Sequence, residues 1–115
     1  MNTSPKISAI ILNYKTPHET LACVDALLAQ TISEEIEIII VDNDSRDSSV
    51  EILRSLLGKE KPIKLMQTEK NIGFSGGNNL GVKTASGDYI LIVNPDTTLE
   101  KDSLEKMFNF LNSRD

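Results

Sequence analysis

The chain has 115 residues, of which 39% are hydrophobic and 25% are charged, and its formal net charge is −5 at pH 7. This length predicts one domain, residues 1–115, that is large enough to bury a core. The negative charge argues against nucleic-acid binding, which needs a basic surface, and no apolar run approaches the length of a membrane span.

The first part of the chain alternates apolar runs with helix signals. Residues 7–12 form a nearly continuous apolar run rich in β-branched side chains, which predicts a strand buried on both faces. Thr16, Pro17 and Glu19 then match a capping box with proline in the first helical position, so a helix is expected to begin there. Residues 36–41 are again apolar and β-branched, and they predict the second strand.

The middle of the chain has weaker signals. A second helix is expected from a cap at Asp47 or Ser48 to a C-terminal end at Gly58. Residues 62–66 alternate apolar and polar side chains, which is typical of a strand near the edge of a sheet. The third strand is therefore expected to be less buried than the first two.

The last part of the chain predicts a loop, a helix, a strand and a final helix. Residues 71–77 are rich in glycine and are expected to form a loop that a ligand can approach closely, followed by a helix to about Ala85. Residues 89–93 predict a short apolar strand, and the final helix is expected from Lys101 or Asp102. Strict alternation of strands and helices predicts an α/β fold, a parallel open sheet with helices on both faces.

Polar side chains follow three of these strands at their carboxyl ends. They are Asn13, Asp42, Asn43, Asp44 and Asp96. In a parallel sheet of order 3-2-1-4, ligands bind at this edge, in the crevice where the strand order reverses. Carboxylates there can accept hydrogen bonds from a ribose diol or from the N3–H of a pyrimidine. Asp96 would hold a hard divalent cation that bridges two phosphates, which reconciles an acidic protein with an anionic ligand.

Three familiar phosphate-binding motifs are absent from the sequence. Residues 13–18, after the first strand, contain no glycine and so exclude the G-x-G-x-x-G of dinucleotide-binding folds. Gly76 and Gly81 have the glycine spacing of a P-loop, but Lys83 is displaced by one residue. The glycine-rich, arginine-bearing loop of sugar-activating nucleotidyltransferases is also missing after the first strand.

The segments around the strand ends resemble a known family. They are Asn13-Tyr14, Val41-Asp42-Asn43-Asp44-Ser45, Asn71-Ile72-Gly73-Phe74-Ser75-Gly76-Gly77-Asn78-Asn79, Ala85-Ser86-Gly87-Asp88-Tyr89 and Asn94-Pro95-Asp96. In order and spacing they are similar to those of the family 2 glycosyltransferases of GT-A fold, and most of all to the rhamnosyltransferase-like branch. The resemblance covers nearly the whole chain and implies the donor-binding, N-terminal half of such an enzyme.

The resemblance implies a role for each matching residue. Asp42 would contact the pyrimidine base, and Asn13 with Tyr14 would line the nucleotide pocket. The other nucleotide-binding residues that it implies are Asn43, Asp44, Asn71, Gly73 and Asn94. Asp96 would coordinate Mg²⁺ or Mn²⁺ on the diphosphate. Family members often have D-x-D where this chain has Asn94-Pro95-Asp96, which leaves one firm carboxylate for the cation.

The resemblance also implies the chemistry of the full enzyme, a hexosyl or rhamnosyl transfer in bacterial polysaccharide biosynthesis. A UDP- or dTDP-sugar would be the donor, and a saccharide or lipid-linked acceptor would supply the attacking hydroxyl. A general base would deprotonate that hydroxyl while the metal stabilises the departing diphosphate. Inverting members carry the base in the acceptor half, which follows the segment seen here. We therefore assign no catalytic residue, and we expect this half alone to be inactive.

Two further expectations concern the surroundings of the protein. The lone Cys23 cannot form an internal disulfide and the first residues are polar, which predicts a cytoplasmic protein, peripheral at the inner face of the plasma membrane in its full-length form. Strand 89–93 would present a free apolar edge, and such edges pair with other chains. We therefore expect self-association through this strand.

Two alternatives stay open at this point. Residues 42–45 are also typical of a turn that caps the second helix, because Asp, Asn and Ser hydrogen-bond to nearby backbone groups. The whole pattern could also belong to a non-catalytic nucleotide- or metal-binding regulatory module, such as a receiver-like domain with acids at strand ends. A receiver domain would need paired acids after the first strand, where this chain has Asn13.

Overall fold

The computed structural model of the chain describes residues 5–56 and 63–113. Four parallel strands form one sheet in the order β3-β2-β1-β4, which confirms the predicted topology. The strands are β1 (Ile7–Asn13), β2 (Ile36–Asp42), β3 (Ile63–Gln67) and β4 (Tyr89–Val93). The order reverses between β1 and β4, as predicted, so the carboxyl ends of these two strands flank the crevice of the sheet.

Four α-helices alternate with the strands. They are α1 (Pro17–Leu28), α2 (Ser49–Arg54), α3 (Gly73–Lys83) and α4 (Ser103–Asn112), and a 3₁₀ turn (Ser33–Glu35) precedes β2. In the part of the chain that the structure describes, no helix is both long enough and apolar enough to span a membrane.

The two central strands, β1 and β2, are covered on both faces and are buried along almost their whole length. On one face Ile11 and Ile40 belong to a cluster with Leu27 of α1, Leu53 of α2 and Leu104 of α4. The opposite face has a smaller cluster, in which α3 is the covering helix. Its members are Ile10, Ile39 and Val41, with Leu12, Met66, Leu80 and Ala85 packed against them. The prediction of helices on both faces is therefore confirmed.

The glycine-rich segment is helical from Gly73 onward, so the loop predicted over residues 71–77 is wrong for most of its length. A side chain at Gly77 would overlap Leu12 Cδ1, and a Cβ at Gly81 would lie 2.7 Å from Ile10 Cγ2. The small residues at this spacing therefore let α3 lie directly on β1 and β2. Gly73 is not required by close packing. Its φ of 81° is a left-handed conformation that favours glycine.

The helix starts differ from prediction in their hydrogen bonds. Thr16 and Pro17 stand at the cap and first position of α1 as predicted, but the Thr16 hydroxyl donates to Asn13 Oδ1 at 3.3 Å and does not complete a capping box. At α2 the Ser49 backbone N–H donates to Asp47 Oδ1 at 2.8 Å. This helix ends at Arg54, before the end predicted at Gly58, and Gly58 itself lies outside the described residues.

Glu37 carries a buried carboxylate near the amino end of β2. Its Oε2 accepts hydrogen bonds from the Ser8 hydroxyl at 2.6 Å and the Ser86 backbone N–H at 2.8 Å, and its Oε1 pairs with Lys64 Nζ at 3.0 Å. Burial raises the pKa of Glu37, but the hydrogen bonds together outweigh burial and lower the pKa to about 2. The carboxylate thus joins β1, β2, β3 and the segment before β4.

We expect Glu37→Gln to lower the free energy of unfolding by about 2–3 kcal/mol at neutral pH. Because folding lowers the pKa of Glu37, its stabilisation is complete above the ordinary value of 4.5 and is lost as the pH falls towards 2. Urea unfolding of both proteins from neutral pH down to about pH 2.5 measures this difference. Glu51→Gln, which changes an exposed acid of α2, is the control. A wild-type advantage that does not shrink in acid would contradict the role given to Glu37.

Candidate functional site

A cleft of about 430 Å³ opens at the carboxyl ends of β1 and β4. Its lining residues are Leu12, Tyr14, Thr16, Glu19, Phe74, Asn94, Pro95 and Asp96. The cleft lies where the strand order reverses, which is the place predicted for a ligand site. Three of the residues predicted from the sequence, Tyr14, Asn94 and Asp96, are brought together there.

The segment that carries Asp96 contacts α1 and the turn that follows this helix. The Cys23 thiol lies 3.9 Å from the Asn94 carbonyl oxygen, at the start of this segment. Towards its end, the Gln30 amide donates to the Glu100 carbonyl at 2.6 Å and accepts from the Leu104 backbone N–H at 3.0 Å. The connection between β4 and α4 is thus held against α1 and the turn after it, and Asp96 lies in the cleft.

Cys23 is a packing residue under this segment. Burial, and secondarily the nearby negative charge of Asp96, raise the pKa of the Cys23 thiol to about 11. A thiol with so high a pKa is inert at neutral pH.

Asn13 and Asp42 do not open onto the cleft, because both side chains are 0% exposed. Asp42 Oδ1 accepts from Asn13 Nδ2 at 2.8 Å and from the Ser45 hydroxyl at 2.6 Å, and Asp42 Oδ2 accepts from the Ser45 backbone N–H at 3.2 Å. The Thr20 hydroxyl donates to Asn13 Oδ1 at 2.7 Å. An exposed Asp42 carboxylate at the sheet edge is therefore a wrong expectation, and its contact with a base stays a prediction.

Asn43 and Asn71 connect the end of β2 to the start of α3. The buried Asn43 amide donates to Asn71 Oδ1 at 3.1 Å and to the Gly73 carbonyl at 3.2 Å, and it accepts from the Ile72 backbone N–H at 3.0 Å. Asn71 Oδ1 also accepts from the Gly73 backbone N–H at 2.8 Å. Asn43, Asn71 and Gly73 were predicted to contact the nucleotide, and in the structure they hold two elements together. Of these three, Asn43 is buried, and Asn71 and Gly73 are exposed.

Asp44 lies in the loop after β2, which has unusual backbone geometry. Its φ is 59°, and two other non-glycine residues, Lys15 and Arg46, also have positive φ values of 60° and 55°. Such conformations cost free energy and cluster at functional sites. The Lys15 backbone N–H donates to the Ser45 hydroxyl at 2.9 Å, which joins the loops after β1 and β2. Asp44 itself pairs with the exposed Arg46 at 2.9 Å.

Five lining residues of the cleft were not named as site residues by the sequence predictions, and Phe74 and Glu19 are the two with chemistry that a ligand could use. Phe74 was assigned to a loop, yet it stands on the first turn of α3 with 60% of its surface exposed. Glu19 was assigned to a helix cap, yet it lines the same cleft as Asp96. The available signal for Phe74 was an aromatic residue within a glycine-rich segment. For Glu19 the local sequence has no feature that distinguishes a cleft residue from an ordinary helix-capping residue.

The acidic groups of the cleft are too few to enclose a cation. Within residues 5–56 and 63–113, no group of three or more His, Cys, Asp or Glu side chains is arranged to hold a metal ion. Asp96 supplies a carboxylate, and Asn94 supplies an amide two residues before it. A hard cation that keeps its waters and takes further oxygen ligands from phosphates fits this donor set.

Comparisons with known proteins agree with this geometry. Residues 8–115 match the family model described as glycosyl transferase family 2. The poly(ribitol-phosphate) beta-glucosyltransferase of Bacillus spizizenii is 36% identical over 107 residues, covering 91% of this chain and 17% of that protein. The structure of S. aureus TarS 1–349 in complex with UDP has a TM-score of 0.82 and 26% identity, covering 93% of this chain and 32% of that chain.

A second solved structure extends the likeness in fold. The mannosyltransferase PcManGT from Pyrobaculum calidifontis, in complex with GDP-Man and Mn²⁺, has a TM-score of 0.88 at 18% identity, covering 97% of this chain and 34% of that chain. The sheet order and the surrounding helices are those of GT-A glycosyltransferases such as TarS. The chain spans 17% to 37% of the length of three curated glycosyltransferases that it resembles.

Proposed function

The chain belongs to glycosyl transferase family 2, and from this premise we propose that it is the donor-binding part of a glycosyltransferase. The cleft between β1 and β4 binds a nucleoside diphosphate sugar together with Mg²⁺ or Mn²⁺. In the whole protein the sugar is transferred to an acceptor hydroxyl of a saccharide or lipid-linked molecule. Within the family we propose the rhamnosyltransferase-like branch, on the order and spacing of the segments around the strand ends.

The observation that carries this proposal is the joint position of Asp96, Asn94 and two aromatic rings in one cleft. Asp96 and Asn94 offer oxygen atoms to a cation at one wall, and Tyr14 and Phe74 offer apolar surface to a base or a sugar. The alternative, a receiver-like regulatory module, needs paired acids after the first strand. It is less well supported because this position is occupied by a buried asparagine, Asn13.

Asp96 has the central part in the proposed binding. Asp96 holds the cation, and the hydrogen bonds of Gln30, in the turn after α1, to Glu100 and Leu104 keep the segment of this carboxylate in place before a ligand arrives. When bound, the cation stabilises the negative charge of the departing diphosphate. The described residues leave the general base unassigned, so we propose that this chain alone binds the donor without transferring the sugar.

Calorimetric titration of the chain tests the proposed function. We expect saturable binding of UDP and dTDP in the presence of Mn²⁺, and loss of that binding after the metal is removed with EDTA. GDP is the third ligand, because TarS was solved with UDP whereas PcManGT was solved with GDP-Man. Stronger binding of GDP than of UDP would overturn the pyrimidine preference, and no binding of any of the three would overturn the proposed function.

We also propose that the chain self-associates through β4. This strand is at the edge of the sheet, and Ile90 and Ile92 on one of its faces are 43% and 48% exposed. The opposite edge strand, β3, carries the charged Lys64, which pairs with Glu37, and a charge on an edge strand opposes pairing with another chain.

The proposed self-association predicts that Ile92→Lys keeps the chain monomeric. A lysine on an edge strand opposes pairing with a second copy, because its charge would have to be buried. Light scattering over a range of protein concentrations measures the mean mass, which should rise for the wild type and stay at the monomer value for the variant. Ala22→Lys, on the exposed side of α1, is the control and should behave as the wild type. A wild type that remains monomeric at every concentration would contradict the proposal.

A further inference from the structure

Asn78 on α3 is a buried amide without a hydrogen-bond partner. It is 3% exposed, and neither its Nδ2 nor its Oδ1 has a partner among the described residues. A buried polar group without a partner destabilises the fold, and such groups are uncommon in native proteins. The amide on this helix therefore needs a reason other than stability.

Asn78 is not itself a lining residue of the cleft, but it lies one helical turn after Phe74, which is. Asn78 follows Phe74 by four residues, so the two side chains share one face of the helix. Helical side chains lean towards the N-terminus, so the Asn78 amide lies over the turn that begins at Phe74. The adjacent Gly77 packs against Leu12. Because Phe74 and Leu12 both line the cleft, the buried amide lies behind the cleft wall, about one helical turn from the site proposed for the ligand.

We propose that Asn78 binds a vicinal diol of the ligand, an inference that rests on the proposed function. The amide has both a donor and an acceptor, and a diol satisfies both because each hydroxyl can donate and accept. Phosphate oxygens only accept, so a phosphate would leave Asn78 Oδ1 unpaired. Phe74, with its exposed ring, gives the C–H face of a sugar an apolar surface on the same side of the cleft.

The diol has two possible sources, the ribose of the nucleotide and the hexose of the donor, and the test separates them. UDP contains only the ribose diol, whereas UDP-glucose contains both. dTDP lacks the ribose 2′-hydroxyl and therefore has no vicinal diol on its pentose. Titrating the three ligands in the presence of Mn²⁺ thus assigns the contact to one ring.

The variant for this test is Asn78→Leu, which replaces the amide by an apolar side chain of similar size. We expect the Kd of at least one diol-bearing ligand to rise about tenfold or more, the size of a lost hydrogen-bond pair. If the variant binds UDP more weakly but binds dTDP as the wild type does, the contact is to the ribose. If only the binding of UDP-glucose is weakened, the contact is to the hexose. The melting temperature should stay the same or rise, because an unpaired buried amide is removed.

Two control variants separate binding from stability. Asn79→Ala changes the exposed neighbour on the same helix and should leave every Kd unchanged. Ser49→Ala changes a buried side chain of α2 that does not line the cleft, and it should leave every Kd unchanged. If Asn78→Leu does not fold, Asn78→Ser shortens the side chain and repeats the test.

The outcomes distinguish this inference from the proposed function. If the wild type binds UDP and UDP-glucose and Asn78→Leu binds both with the same Kd, the amide does not contact the ligand and the inference is overturned alone. An equal loss for dTDP, UDP and UDP-glucose would also overturn it, because the three ligands share no vicinal diol. If the wild type binds none of the three, both the inference and the proposed function fail.

Discussion

Replacing Asp96 by alanine should weaken Mn²⁺-dependent nucleotide binding by about 100-fold or more. Asp96 is the acid predicted and observed at the carboxyl end of β4, and it lines the cleft with the amide of Asn94. Because no larger group of metal-binding side chains is found in the described ranges, few protein atoms can replace its carboxylate. Titration of the variant with UDP, with and without Mn²⁺, measures the loss.

The comparison between metal and metal-free titrations makes this test specific. If Asp96 acts through the cation, the wild type with EDTA and the variant with Mn²⁺ should bind UDP equally weakly. Asp88→Ala is a matched control, because Asp88 is an exposed acid at the opposite end of the same strand and should leave the Kd unchanged. Equal binding by the Asp96 variant and the wild type would remove Asp96 from the site.

The topology was accessible from the sequence because it depends on patterns that repeat over many residues. Alternating apolar runs and helix signals imply parallel strands, and the right-handed crossover rule then restricts the order of the sheet. The position of Asp96 follows from the same reasoning, since the carboxyl ends of parallel strands meet at one edge. The predicted topology and the predicted position of Asp96 do not change when the bounds of a single strand or helix are wrong by a few residues.

The conformation of residues 71–77 could not be obtained in this way. Glycine has a low intrinsic preference for helices, so local propensity favours a loop. In the folded chain Gly77 and Gly81 allow α3 to touch Leu12 and Ile10, and this packing outweighs the low propensity. The decisive contacts are between residues far apart in sequence, which a local pattern does not contain.

The burial of Asp42 was hidden for a similar reason. An acid followed by Asn and Ser after a strand is equally typical of a ligand site and of an internal hydrogen-bond network. The structure favours the network, because the partners of Asp42 come from Asn13, on the neighbouring strand, and from Ser45, in the following loop. Nothing in the local sequence reports that Asn13 points towards Asp42.

We expect Asp42→Ala to lower the free energy of unfolding by about 4 kcal/mol. The change removes the acceptor of the Asn13 amide, the Ser45 hydroxyl and the Ser45 backbone N–H. These donors are buried, and each loses its partner at a cost of about 1–3 kcal/mol, less any relaxation of the loop. Asp42→Asn keeps one acceptor but turns an amide N–H towards a donor, so its loss should be about 2 kcal/mol. Urea unfolding measures both losses.

The same variants decide between a structural and a ligand-binding role of Asp42. Asp44→Asn is the control, because Asp44 pairs with an exposed Arg46 and asparagine tolerates its positive φ, so stability should change by less than about 0.5 kcal/mol. If Asp42 is structural, folded Asp42→Asn should still bind UDP with Mn²⁺, at a temperature well below its melting point. Unchanged stability together with lost UDP binding would mean that the carboxylate turns out of its network to meet the base. In that case the buried arrangement would describe only the ligand-free chain.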